Sequence, residues 1–183
     1  MSGHGHVDPS NKKIALLIAV LALFLAISET LSKAYQTEVI TKQVEASNLW
    51  AFFQAKSIRK TSTDLAIQSA QIQPSADEAK TAAMIKRWTD ASKRYDSEPE
   101  TGEGRQELMA RAKKAESSRE VQKAKGDIFD ISSALLQIGI VLASSAVITG
   151  AIALAWVAGA LGVFGTALMA IAATSPMLIG SIF

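Results

Sequence analysis

The sequence predicts an all-α integral membrane protein, with three transmembrane helices and a long helical, coiled-coil-like hairpin stalk outside the bilayer. Three observations carry that prediction. Residues 14–27 and 131–183 contain no charged side chain. Almost all Lys, Arg, Asp and Glu lie between Lys33 and Asp127. Residues 31–73 hold neither proline nor glycine and repeat their apolar positions every seven residues. The hydrophobic fraction, 49%, is ordinary for a globular protein. Its segregation into charge-free blocks describes a chain that meets two solvents, lipid and water.

Charge and composition exclude several functions. The net charge is +2, and the Lys and Arg of the middle segment alternate with Glu and Asp. That is a solvated helix face and not the focused basic stripe of a nucleic-acid binder, so no nucleic-acid partner is expected. The chain has no cysteine, which excludes disulfides, zinc–thiolate sites and thiol catalysis.

Residues 1–11 read as a polar N-terminal tail. Within it, removal of Met1 would place a free amine, two amide nitrogens and His4 in the arrangement that wraps Cu(II) or Ni(II) in a square plane. Such tripeptides arise by chance, so His4 is named as the candidate ligand while no resident metal or cofactor is expected.

Residues 12–31 form the first expected span. A crossing helix needs about 20 residues, or about 17 with snorkelling ends, and Lys12 and Lys13 can reach back to the headgroups. Glu29, Leu31 and Lys33 crowd the place where a signal-peptide cleavage site would need small residues, so the segment is expected to be retained. Asp8-Pro9-Ser10 suits the helix start.

Residues 32–127 are the expected stalk. Val44, Ala51, Ile58, Leu65 and Ile72 recur every seven residues. Val39, Ala46, Phe53 and Ile67 make a second track, interrupted by Lys60. These periods are helical, so the first span continues outward, reaching ~90 Å from Lys13 to Gln73 at 1.5 Å per residue. Gln73-Pro74-Ser75 ends that helix, and Ser75 with Glu78 reads as a capping box. A shorter helix follows over about 76–96, with Met84, Trp88, Ala91 and Tyr95 on one face. Residues 97–104 are a loop, and a third helix starts near Arg105. Leu108, Ala112, Ala115, Ala124, Ile128, Ile131, Leu135 and Ile138 keep helical spacing into the second span, with Gly126 as a possible bend.

The last apolar block is too long for one span and right for two: residues 128–149 and 152–173, turning at Thr149-Gly150-Ala151. Ser175-Pro176 ends the third span, leaving 174–183 as an apolar C-terminal tail. In lipid, helices associate by close backbone approach, which small residues permit. Ala158, Gly162, Thr166, Ala170 and Thr174 stand four apart, with Ala151, Ala155 and Gly159 in a parallel row. Gly139, Ala143 and Ser144 of the second span, or another copy of the chain, are the expected packing partners.

Three polar side chains fall at or inside the spans: Glu29, Asp130 and Gln137. Burying such groups in lipid is expensive, so each is a site candidate, balanced against plain anchoring at the interface or a bond between helices. Trp50, Phe52 and Phe53 form the most aromatic stretch and read as a partner interface, with packing against the returning helix as the alternative. No nucleotide-binding glycine loop or catalytic triad appears, and both histidines lie in the tail, so no enzyme is expected.

Two segments carry a resemblance. Lys12-Lys-Ile-Ala-Leu-Leu-Ile-Ala-Val-Leu-Ala-Leu-Phe-Leu-Ala-Ile-Ser-Glu-Thr30 and Glu45-Ala-Ser-Asn-Leu-Trp-Ala-Phe-Phe-Gln-Ala-Lys-Ser-Ile-Arg59, together with the C-terminal hairpin, resemble an uncharacterised bacterial three-span membrane protein family, domain-of-unknown-function family 4337. The resemblance implies a multi-pass protein of the bacterial inner membrane. It brings no activity, substrate or catalytic residue, and suggests that Glu29 and the aromatic stretch are family features.

Lys33, Lys42, Arg111, Lys113, Lys114, Arg119, Lys123 and Lys125 outnumber Lys12 and Lys13, which assigns the stalk to the cytoplasm. Ala- and Ser-rich stalk faces bury little apolar area alone. The expected function is therefore a non-enzymatic membrane scaffold or accessory subunit, a homo-oligomer or a component of a larger membrane complex. A small oligomeric channel or transporter is the alternative.

Overall fold

The computed structural model describes residues 9–73 and 77–174. They form four helices: α1 (Pro9–Ile72), α2 (Glu78–Asp96), α3 (Arg105–Thr149) and α4 (Ile152–Thr174). No strand occurs among the described residues. α1, α3 and α4 are each long and apolar enough to cross a membrane. α1 is unbroken across its 64 residues, as expected where neither proline nor glycine interrupts the chain after its first turn.

The helix ends have local causes. α2 is capped by Asp77, whose carboxylate accepts from the Lys80 amide at 3.1 Å and pairs with the Lys80 ammonium at 2.9 Å. The expected cap, Ser75, lies outside the described residues, and the capping role falls to Asp77. α3 and α4 are joined through Gly150, whose φ of +72° is left-handed. Its amide donates to the Ala146 carbonyl at 2.9 Å, closing α3 in the way C-terminal glycines do. Gly126 lies inside an unbroken α3, where a Cβ would stand 3.6 Å from Tyr35 Cβ. The expected helix end at Ser175-Pro176 lies outside the described residues, as does His4.

The chain divides into two compact units. Among the described residues, the first draws on 9–39 and 120–174, the second on 40–73 and 77–119. In the first, the spans of α1, α3 and α4 pack around Leu21, Ile128, Phe129, Leu136, Met169 and Ala172, and around Ile14, Ala143, Ala146 and Ala158. The outward faces carry large apolar side chains such as Leu23, Val141, Ile148 and Val163, all exposed and suited to lipid tails.

In the second unit, α1 and α3 pack through Ala46, Leu49, Leu108, Ala112 and Ala115. Three contacts to carboxylates tie α2 and its loop to this core, and a fourth, Lys60 with Asp64, supports one of them from within α1. Ser92 donates to Asp64 at 2.5 Å, Lys60 pairs with Asp64 at 2.8 Å, and Arg105 with Asp96 at 3.4 Å. Ser97 donates to Glu107 at 2.6 Å, in the first turn of α3. These bonds hold the carboxyls of Asp64, through Lys60 and then Ser92, and of Glu107, through Ser97, below their ordinary ranges.

Candidate functional site

Glu29, Asp130 and Gln137, distant in sequence, are brought onto one patch of the first unit. α1 and α3 run antiparallel there, so rising numbers on α1 meet falling numbers on α3. Gln137 donates to Glu29 at 3.1 Å. Ser32 donates to Asp130 at 2.5 Å, and the Gln36 amide donates to both Asp130 and Ser32 at 3.2 Å. Deeper between the helices, Ser28 is fully buried and donates to the Phe129 carbonyl at 2.9 Å. Ser133 donates to the same carbonyl. Together with Lys33, the patch lines an open polar pocket of ≈ 320 Å³.

The sequence contains a signal for this site beyond the three residues singled out. Ser28, Ser32 and Gln36 stand four apart on α1 and all face α3. A row of hydrogen-bonding side chains leaving a span at helical spacing marks a polar contact between helices. The outcome is a bonded network in which each carboxylate has a donor, so that the cost of holding them beside lipid is reduced. Tyr35 stacks on Phe129 at 5.5 Å and receives Lys125 over its ring at 5.5 Å, just beyond the network.

The small-residue row of α4 divides in two. Ala158 and Gly162 are buried against α1 and α3, and Gly139 of α3 faces them: a Cβ there would lie 3.3 Å from the Ala158 carbonyl and 3.4 Å from Leu21. Ala143 is fully buried in the same region. Thr166 is half-buried with its hydroxyl donating to the Gly162 carbonyl at 2.9 Å, and Ala170 is exposed. The row that stays buried is Ala158, Gly162, Gly165, Met169 and Ala172. Steps of four residues rotate about 400° at 3.6 residues per turn, so a strict four-spaced row drifts off the face, whereas alternating steps of four and three hold it. Gly165 was missed for that reason; a Cβ on it would meet the Ser132 carbonyl at 3.3 Å. Gly159 faces open space.

The aromatic stretch is mostly engaged within the second unit. Trp50 donates its indole N–H to Glu116 at 2.8 Å and meets Phe53 edge-on at 5.4 Å. Both rings pack on the α1–α3 core, and Arg105 lies 5.3 Å over Phe53. Within the chain, Trp50 and Phe53 therefore make the packing against the returning helix that the sequence offered as the alternative, because the antiparallel register sets them against α3. Phe52 alone of the three stays at the surface, with Lys56 5.3 Å over its ring.

The two seven-residue tracks of α1 separate completely. Ala46 is buried and Phe53, Lys60 and Ile67 are half-buried on the inner track. Val44, Ala51, Ile58, Leu65 and Ile72 on the outer track are all exposed. Beside the outer track lie Ile40, Ser47, Gln54, Thr61 and Gln68 on one flank, and Thr41, Asn48, Ala55, Ser62 and Ser69 on the other. Every one is exposed and none carries a charge.

These features define an all-α protein of the membrane-spanning class, with three helices long and apolar enough to cross a bilayer. The chain belongs to the family described as Domain of unknown function (DUF4337), which matches residues 10–175. No curated protein and no solved structure matches the chain.

Proposed function

We propose that the chain is a non-enzymatic membrane scaffold or accessory subunit that self-associates through the outer track of α1. The observation that carries this reading is the uncharged, exposed face over residues 40–72, with Ile58 67% and Leu65 57% exposed. A water-facing helix surface normally carries charge at most turns. A seven-residue apolar track flanked by small and uncharged residues is instead the pattern that a second helix covers as a coiled coil. Copies anchored in one bilayer meet in parallel, which places each outer-track residue opposite its own counterpart. The reading includes the inner membrane of a bacterium as location and the cytoplasm as the side of residues 40–119, supported by the family resemblance and by the Lys and Arg that flank the spans on that side.

The test uses the absence of cysteine from the chain. Ile58→Cys and Leu65→Cys each introduce a single thiol, and mild oxidation in native membranes reads whether two copies meet there. Cross-linked dimers are expected from both variants and not from Lys113→Cys, an exposed position on α3. Ile58→Glu with Leu65→Glu is expected to reduce the mass of the particle extracted in mild detergent while leaving its helix content intact. A single-copy particle with no cross-link removes self-association; the same particle bound to other subunits makes the chain an accessory subunit only.

The polar pocket favours a second reading, a small oligomeric channel or transporter, because Glu29, Asp130 and Gln137 share one patch. It requires ion flux in liposomes that falls in Glu29→Gln and Gln137→Leu. Silent liposomes holding correctly assembled protein remove it.

A further inference from the structure

A groove of ≈ 560 Å³ opens between the start of α1 and the start of α4, walled by Ile14, Leu17, Ile152, Ala155 and Trp156, with Gly159 at its far end. Its volume is that of a small-molecule site. Among the described residues, Lys13 is the only charged one that lines it, and no acidic side chain does. We infer that this groove binds an anionic phospholipid, its acyl chain along the apolar walls and its headgroup against Lys13.

Four features choose that occupant. First, the groove lies within the first turns of two spans, where lipid headgroups stand, and Lys12 adds a second positive charge beside Lys13. Second, Trp156 is 77% exposed at the groove's rim, in the position that tryptophan favours between hydrocarbon and headgroups. Third, the floor is open: a Cβ on Gly159 would meet nothing within 4 Å. Fourth, the groove is short. The small row Ala151, Ala155, Gly159 ends at its next step on Val163, which is 71% exposed. Ala155 and Gly159 stand four apart, as close-packing helices require, but beyond them the bulk of Val163 would hold a long rigid helix off the floor. A flexible hydrocarbon chain needs only the two turns that exist and then bends out into the bilayer. The inference is independent of whether α1 self-associates.

The test reads Trp156 in the full chain, reconstituted into phosphatidylcholine vesicles that contain either brominated phosphatidylglycerol or brominated phosphatidylcholine at the same low mole fraction. The Trp156 signal is the difference between the native chain and Trp156→Phe. Brominated phosphatidylglycerol is expected to quench as though enriched about fivefold, the factor that one lysine beside anionic headgroups supplies. Lys13→Gln should bring the two lipids to parity. Gly159→Leu, which fills open space and so should keep the fold, should lower quenching by brominated phosphatidylglycerol. Equal quenching by the two lipids in the native chain overturns the inference. So does a change in particle mass on Gly159→Leu, since the groove would then be filled by protein.

Discussion

Leu21 of α1 occupies the place that a Cβ on Gly162 of α4 would need. The contact is made by the end of a flexible side chain, Leu21 Cδ2, whereas Gly165 faces the Ser132 backbone carbonyl at 3.3 Å. Alanine should therefore be tolerated better at 162 than at 165. Expected costs are below about 1 kcal/mol for Gly162→Ala, by rotation of Leu21, and about 1–3 kcal/mol for Gly165→Ala, where the helices must separate. Gly159→Ala should cost nothing measurable by this route. Detergent-titrated unfolding followed by circular dichroism orders the three, and equal losses at 159 and 165 would contradict the packing described.

Gly162→Leu is expected to disrupt the fold of the single chain before it affects any assembly. Loss of monomer helix content in mild detergent is the readout. A folded Gly162→Leu monomer that fails only to associate would move this residue from the internal seam to an interface between copies.

The second unit should be sensitive to acid. Asp64 and Glu107 have carboxyls held below their ordinary ranges by Lys60 and Ser97 respectively. Glu98 is held down likewise by Arg94, at 2.5 Å. A group whose folded pKa is depressed contributes stability above its unfolded value, and that contribution is lost as pH falls through the lower folded value. Protection of amides in residues 40–119 should thus be level from pH 8 to 5 and fall below about pH 4. Asp64→Asn should flatten part of that fall; an unchanged acid profile would show that the Asp64 contacts contribute nothing.

Trp50→Phe keeps a ring against Phe53 and deletes the donor to Glu116. Hydrogen bonds to charged acceptors are worth about 1.5–3 kcal/mol, and partial exposure places this one at the low end. A fall in the thermal midpoint of about 4–8 °C per kcal/mol is expected for a unit of this size. If midpoint and association both stay unchanged, the bond carries no weight.

Gly150→Ala should destabilise the α3–α4 turn by about 1 kcal/mol, because φ of +72° is strained for any side chain. Gly104→Ala should cost more, since its Cβ would collide with the backbone of Ser97 and Glu98. Comparing both with Gly159→Ala in the same unfolding assay separates strain from crowding.

The helical elements were readable because their signals are local. Charge-free runs, the absence of proline and glycine over residues 31–73, and the turn residues at 149–151 each act within a few positions. The pairing of Glu29 with Gln137 and of Asp130 with Ser32 depends on the register of two helices a hundred residues apart, which no local pattern encodes. Trp50 and Phe53 illustrate the same limit. Aromatic size says that they will be covered, while register decides that α3 covers them. The two tracks of α1 were visible as tracks, but which one faced inward depended on the Ala112–Ala115 side of α3.

The α3–α4 connection has a consequence for how the protein is made. Only Gly150 and Ala151 separate the helices. So short a link cannot leave one helix seated in the bilayer while its neighbour waits outside to be synthesised and threaded later. Insertion of this pair is therefore a single event, in which α3 and α4 enter the lipid together as a hairpin. Until Ala158 has left the ribosome, Ala143 and Ala146 lack the α4 side chains that cover them. During that interval the nascent chain depends on the insertion machinery, and not on its own packing, to keep those surfaces out of water.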